Sequence, residues 1–259
     1  MKIAVFVKQV PDSAANMAVE GGKADWGDAP LVINPWDEYA VEAALLLAEE
    51  KGAEVVAISM GPESAQEALK HALAMGCSEA ILLSDPALAD ADAGVAARVM
   101  ASSLQKIGDV DLAVFGKQAI DSDTGLTPSL MARLLGWPAL TLVATVQSFD
   151  PQAKAIRVER SMEEGRQVVE ASLPAVISVV KDYAEPRYPS FMGIRKASKA
   201  EIPVWSLADM GIQVSPAHVS WPEIIQPPAR DVSNEMIEGS SPQEIAENLA
   251  EKIIAEGVL

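Results

Sequence analysis

Four short apolar runs, each separated from the next by a stretch of helical period, dominate the first half of the chain and leave it few possible architectures. Ile3 to Val7, Glu54 to Ser59, Ala80 to Leu83 and Leu112 to Phe115 read as strands of the nearly continuous apolar kind, buried on both faces. Between them, Asn34-Pro35-Trp36-Asp37-Glu38 reads as a helix start, with Asn34 as cap, Pro35 at the first position and acids in the first turn. Ala40, Ala43, Ala44, Leu47 and Ala48 make its apolar stripe, and Lys51-Gly52 ends it. Further helices are expected from Gly61-Pro62 to Met75-Gly76 and from Asp92 to Ile107. Residues 11–33, with Gly21-Gly22 and Gly27, interrupt the order as an irregular excursion of hairpin type. Strict alternation means βαβ units with right-handed crossovers, hence a doubly wound, mostly parallel α/β sheet.

Ligands on such sheets sit beyond the carboxyl ends of the strands. Those ends are Phe6-Val7-Lys8, Ser59-Met60-Gly61, Ser84-Asp85 and Phe115-Gly116-Lys117. The last one leads into a loop with Gly116, Asp121, Ser122, Asp123, Thr124 and Gly125, then a helix start with Thr127 as cap and Pro128 at the first position. Strand, small-residue loop and helix N-terminus aim free backbone N–H groups at an anion. Asp121 and Asp123 would repel free phosphate, so a bound phosphate rests on N–H groups while a carboxylate takes a ribose hydroxyl. The other reading is an ordinary acidic βα turn, because no specific glycine fingerprint is present.

After Pro138 the period changes. Leu140 to Phe149, Ala155 to Ser161, Gln167 to Ala171 and Ala175 to Val180 read as strands without helices between them, an antiparallel addition in or beside the same sheet. Lys181 to Lys199 reads as loop, because Pro186, Pro189 and Gly193 oppose a helix. It carries Tyr188, Phe191 and Met192 above a root of Arg195, Lys196 and Lys199, a pattern that suits docking; the alternative folds Phe191 back on the core. Residues 212–240, with Pro216, Pro222, Pro227 and Pro228, read as an extended arm. Ser241-Pro242-Gln243-Glu244 is a capping box opening a last helix with Ile245, Leu249, Ile253 and Ile254 on one face. That face buries on the chain's own core or on a partner subunit. The expected division is a nucleotide-binding α/β domain at 1–212 and an arm with its helix at 213–259.

The 259 residues are 49% hydrophobic, enough for a large core, yet no run approaches the ~20 apolar residues of a membrane span. A net charge of −17 argues against nucleic acid or anionic lipid as main partner. The single cysteine, Cys77, excludes an internal disulfide and fits a reducing compartment, and the chain enters a strand directly from Met1; a cytoplasmic protein is expected. His71 and His218 stand alone, and no nucleophile elbow, P-loop, paired-cysteine spacing or zinc-binding histidine pair is present. The residues by themselves describe a nucleotide-binding α/β protein with a protruding loop and arm and no catalytic set.

Several segments sharpen this. Val7-Lys8-Gln9-Val10-Pro11-Asp12, Asn34 to Ala43, Ala72-Leu73-Ala74-Met75-Gly76 and Gly116-Lys117-Gln118-Ala119-Ile120-Asp121 resemble electron-transfer flavoprotein β subunits. So do Val158-Glu159-Arg160, Leu173-Pro174-Ala175-Val176 and Glu185-Pro186-Arg187-Tyr188, in order over residues 1 to 212. The resemblance implies a non-enzymatic carrier subunit paired with an α subunit that holds the redox-active FAD. The pair moves electrons between dehydrogenases, acyl-CoA or related flavin enzymes, and an acceptor. It implies an adenine nucleotide in this subunit, AMP or a second FAD, touching Phe6, Asn34, Pro35, Trp36, Asp37, Met60 and the run Gly116, Lys117, Gln118, Ala119, Ile120, Asp121, Ser122, Asp123, Thr124, Gly125, Leu126 and Thr127. It places a partner-recognition loop at 186–197, with Phe191 as its apolar anchor beside Tyr188 and Met192, and Arg160 toward the α-subunit flavin.

The sequence departs from that pattern after Asp121. Bifurcating members read Gly-Asp-Thr-Ala-Gln-Val-Gly-Pro there; this chain reads Ser122-Asp123-Thr124-Gly125-Leu126-Thr127-Pro128-Ser129. Pro128 removes one donor, which favours AMP, whereas Lys8 to Asp12, the Asn-Pro-x-Asp start and the long arm favour the bifurcating branch and a second FAD. Two other classes are weighed. A stand-alone nucleotide sensor needs a glycine-rich phosphate loop near the last strand and a self-associating edge, and the chain has neither; an adenylyltransferase needs a serine-glycine-rich loop after the first strand, where Lys8-Gln9-Val10-Pro11 is the wrong chemistry.

Overall fold

A computed structural model describes residues 1–228 and 234–257 of the chain. It divides into a large unit, Met1–Ile224, and a small one, Ile225–Leu259.

In the large unit, β1 (Lys2–Phe6), β6 (Glu54–Met60), β7 (Glu79–Leu83) and β8 (Val110–Gly116) are the four runs of the alternating half. Helices α1 (Pro35–Lys51), α2 (Gln66–Met75, entered through a 3₁₀ turn at Glu63–Ala65) and α3 (Ala93–Ile107) make the crossovers, and α4 (Thr127–Leu135) follows β8. β2 (Gln9–Pro11) pairs with β5 (Leu31–Ile33), and between them lies the hairpin β3 (Ala18–Glu20) and β4 (Lys23–Asp25). Gly21 and Gly22 both take positive φ at its tip, the geometry a two-residue hairpin turn needs.

The second half adds β9 (Ala139–Asp150), β10 (Ala155–Met162), β11 (Gly165–Ser172), β12 (Ala175–Val179) and the short β13 (Val204–Trp205) to the same sheet. Its nine strands run β11-β10-β9-β12-β8-β1-β6-β7-β13. β9, β10 and β11 are antiparallel neighbours, as expected. β12 is not part of that addition: it slots between β9 and β8, parallel to both. Its five residues are all buried, whereas β11 alternates at an exposed edge. Leu142 holds φ at 59°, a bulge in β9 where the strand passes from β12 to β10.

α1 and α2 cover one face through Ala40, Ala44, Leu47, Leu69 and Ala72, and α3 and α4 cover the other through Val95, Val99, Leu104 and Met131. β1 passes to β6 on one side while β8 stands on its other side, so the strand order reverses between β1 and β8. A doubly wound sheet opens its ligand crevice at such a reversal.

Residues 181–199 are not all loop. α5 (Phe191–Ala197) forms there, with Ser190 as cap accepting from the Gly193 N–H at 3.0 Å. Gly193 does not break this helix; it allows it, because a Cβ there would lie 2.3 Å from the Ala74 carbonyl at the end of α2. Tyr188, Phe191 and Met192 are 89%, 80% and 69% exposed, so Phe191 does not fold back on the core.

The small unit holds α6 (Pro242–Ala255), capped by Ser241, whose hydroxyl accepts from Glu244 N–H at 3.2 Å. The return arm of the expected box is displaced by one residue: the Glu244 carboxylate accepts from Ser240 N–H rather than Ser241. No residue of α6 is buried.

Candidate functional site: a clasp at the sheet reversal

Three segments meet at the carboxyl ends of β1 and β8: the exit of β1, the first turn of α1 and the loop after β8. Asn34 joins the second to the third. It occupies the cap position of α1, but its side chain makes no cap bond. Its Nδ2 instead donates to the Gln118 carbonyl at 2.9 Å, and its Oδ1 accepts from Ile120 N–H at 3.1 Å. At 0% exposure the amide ties the loop to the start of α1, which corrects its reading as a simple helix cap.

Asp37 joins all three. Its Oδ2 accepts from Lys8 N–H at 2.8 Å, and the carboxyl also accepts from Gly116 N–H. Gly116 is required by space rather than by φ. A Cβ there would lie 2.5 Å from Asp37 Oδ1 and 2.6 Å from the Trp36 carbonyl. Burial pushes the Asp37 carboxyl up to about 7, against the opposing pull of Asn34, the two amides and the Lys8 charge.

A carboxyl with a raised folded pKa binds more protons folded than unfolded from about pH 4 to about 7, so stability falls as pH rises through that window. Asp37→Asn removes the titration. Unfolding midpoints at pH 5 and pH 7.5 should differ less in that variant than in the wild type; an equal difference would exclude Asp37 as the group responsible.

Farther along the loop, Lys8 Nζ lies 2.6 Å from Asp121 Oδ2, and Gln118 Nε2 donates to Asp123. Asp121 is therefore neutralised by an ion pair, whereas Asp123 keeps its charge and is held only by a neutral amide. Asp123 and Gly125 adopt positive φ, 54° and 59°, and turn the loop toward α4. Thr127 is the first residue of that helix rather than its cap: Leu126 is already helical, and its carbonyl accepts from Leu130 N–H at 3.1 Å. The backbone N–H groups of Thr124, Gly125, Leu126 and Thr127 meet no acceptor among the described residues. Four donors in a row at a helix N-terminus suit an anionic oxygen cluster, and Pro128, buried just behind them, subtracts a fifth.

Phe6 and Phe115 stack at 4.5 Å and 9° under this cleft, both nearly inaccessible, and Met60 packs beside them, half-buried. Trp36 flanks the cleft with Lys117 Nζ 5.4 Å from its ring centre. The residues expected to hold a nucleotide are brought together, with Lys8 as an addition.

Arg160 lies elsewhere, on β10, three strands from β8. Its Nε donates to the Thr141 carbonyl at 2.7 Å, Nη2 to Thr141 Oγ1 at 2.9 Å and Nη1 to Gln167 Oε1 at 3.0 Å. Behind the exposed α5 face, Arg187 grips buried Glu42 of α1 through Nε at 2.8 Å, Nη2 at 2.9 Å and its own backbone N–H at 3.0 Å. It also reaches Glu49. Sequence alone gives no sign of this pair, whose members are 145 residues apart.

Among the described residues no helix is long and apolar enough to cross a membrane. Residues 27–210 match the electron transfer flavoprotein domain. The chain is 38% identical to the caffeyl-CoA reductase-Etf complex subunit CarD of Acetobacterium woodii, over 98% of both chains. It is 33% identical to the electron transfer flavoprotein subunit beta of Megasphaera elsdenii over the whole of both. To the protein FixA of Azotobacter vinelandii it is 33% identical over 99% of this chain and 95% of that one. A domain match over most of the chain, full-length relatives and a doubly wound sheet agree: the chain belongs to the β-subunit branch of the electron transfer flavoprotein family and serves in electron transfer.

Proposed function

We propose that this chain is the β subunit of a heterodimer whose α subunit carries the redox-active FAD, and that its own cleft holds AMP. The complex shuttles electrons between an acyl-CoA or related flavin dehydrogenase and an acceptor in the cytoplasm. The observation that carries the nucleotide reading is the run of four unpaired N–H groups from Thr124 to Thr127, beside a loop held by Asn34 and Asp37 at the sheet reversal. AMP in this position supplies no redox chemistry. The chain's residues do the rest: Thr124 to Thr127 take the phosphate, Asn34 and Asp37 hold the loop to α1, Gly116 keeps the floor thin, and Phe6, Trp36 and Met60 border the base.

Tyr188, Phe191 and Met192, exposed on or just before α5, are proposed as the docking face for the dehydrogenase. Arg160 is assigned to the side toward the α-subunit flavin, and the chain beyond Ile224, with α6, to the partner subunit. A second reading, FAD in place of AMP, is favoured by the full-length similarity to a subunit of a caffeyl-CoA reductase-Etf complex.

The test is to release and count the nucleotides of the co-purified heterodimer. One FAD and one AMP per complex are expected. Two FAD would establish the second reading, and a single FAD with nothing else would overturn nucleotide binding by this subunit.

A further inference from the structure

Just before the division at Ile224, the arm is pinned at two points. Asp92 Oδ2 accepts from the N–H groups of His218 and Val219, at 2.7 and 3.1 Å. The other oxygen of the same carboxylate accepts from Val95 N–H at 2.8 Å and so caps α3. Five residues after Val219, Ile224 N–H donates to the Gly22 carbonyl at the tip of the β3–β4 hairpin, at 2.8 Å. Glu223 packs on the same tip, its Cγ 3.3 Å from where a Gly22 Cβ would stand.

Both anchors belong to the carboxyl edge of the sheet. α3 begins where the chain comes back from the end of β7, and the hairpin is inserted after the end of β1. β6, with Met60 at its end, lies between β1 and β7. Two strand spacings are about 10 Å, and five residues reach about 18 Å at most, so the segment has little slack for a detour around the sheet. Ile212 and Val214 pack on the α3 side, the side of Phe6, Phe115 and Met60, so the arm reaches the edge from the cleft's own face. Between the anchors Val219 and Trp221 remain 62% and 74% exposed.

We propose that residues 217–224 form the outer wall of the nucleotide cleft, opposite the loop 117–126, with Asp92 as the positioning residue that holds the wall shut. The proposal rests on the nucleotide reading above. A segment fixed by three backbone hydrogen bonds and few buried side chains opens locally at low cost. It therefore sets how fast an adenine nucleotide leaves, while Thr124 to Thr127 and the α1 clasp set where it sits.

Asp92→Asn separates the two duties of the carboxylate. Asparagine is as good a cap as aspartate, so α3 keeps its bond to Val95, but the amide NH₂ cannot accept from His218 or Val219. Ile224→Pro removes the donor at the other anchor without touching α3. Co-purified heterodimers of wild type and both variants are loaded with labelled AMP and chased with unlabelled AMP. Release should be about tenfold faster in each variant, with the α-subunit FAD retained and the thermal midpoint of the AMP-free complexes unchanged. Wild-type release rates in both variants would overturn the wall. A wild-type complex that takes up no AMP and carries no second FAD would overturn the nucleotide reading itself and this inference with it.

Discussion

Gly116→Ala will empty the cleft and destabilise the fold by about 3 kcal/mol, the upper part of the usual range for forcing one methyl group into a closed contact. The added carbon would stand 2.6 Å from both the carbonyl carbon and the oxygen of Trp36. These are backbone atoms of a helix's first turn, so no rotamer change relieves the contact, and α1 must retreat from β8. Retreat breaks the Asp37 bonds to Lys8 and Gly116 and pulls Asn34 away from Gln118 and Ile120. Urea unfolding and a nucleotide count on the same preparation would check both halves. A variant of wild-type stability that still carries its nucleotide would mean that the α1 turn is mobile and the clasp is not what forms the site.

Arg187→Met should cost about 2–3 kcal/mol at neutral pH. Removing one partner of a fully buried pair costs more, about 3–5 kcal/mol, but the Arg187 side chain is 32% exposed and its pairing with exposed Glu49 adds little. Glu42, 6% exposed at its side chain, is the group left without compensation. The two glutamates hold the Arg187 guanidinium's pKa above its ordinary value, the signature of a pair favoured as ions. Trypsin provides a local readout at Arg195, Lys196 and Lys199, which the wild type carries on or next to α5. Arg187→Met should be cut faster there, whereas Phe191→Ala should be cut like wild type and yet bind the dehydrogenase more weakly. Equal cleavage of all three proteins would show that Arg187 does not hold this segment.

The alternating half was legible because each strand is an apolar run and each helix has its own stripe and terminators, all local signals. The β1/β8 reversal was not, since strand order is settled by which faces pack and not by any one segment. β12 carried a readable clue, five apolar or small residues without alternation, the mark of a strand covered on both faces. Its neighbours' antiparallel pattern hid it. α5 was obscured by Gly193, whose lack of a side chain reads as a helix breaker but serves a close approach to α2. In the site, the small-residue loop and the Asn-Pro helix start were visible, but the pairings Asn34 with Gln118 and Lys8 with Asp121 join residues 84 and 113 apart. Glu42 is spaced like any polar position of an amphipathic helix, and only an arginine 145 residues away justifies burying it.

α1 takes part in both arrangements. Its first turn holds the loop after β8 through Asp37, and Glu42 and Glu49 farther along hold Arg187, just before the exposed α5 segment proposed for docking. From Asp37 to Glu49 the helix rises about 18 Å, a fixed length set by backbone hydrogen bonds. α1 thus acts as a ruler. The docking face proposed above would sample many standoffs from the cleft on a free loop, whereas tied to this rod it would hold a single standoff for any partner.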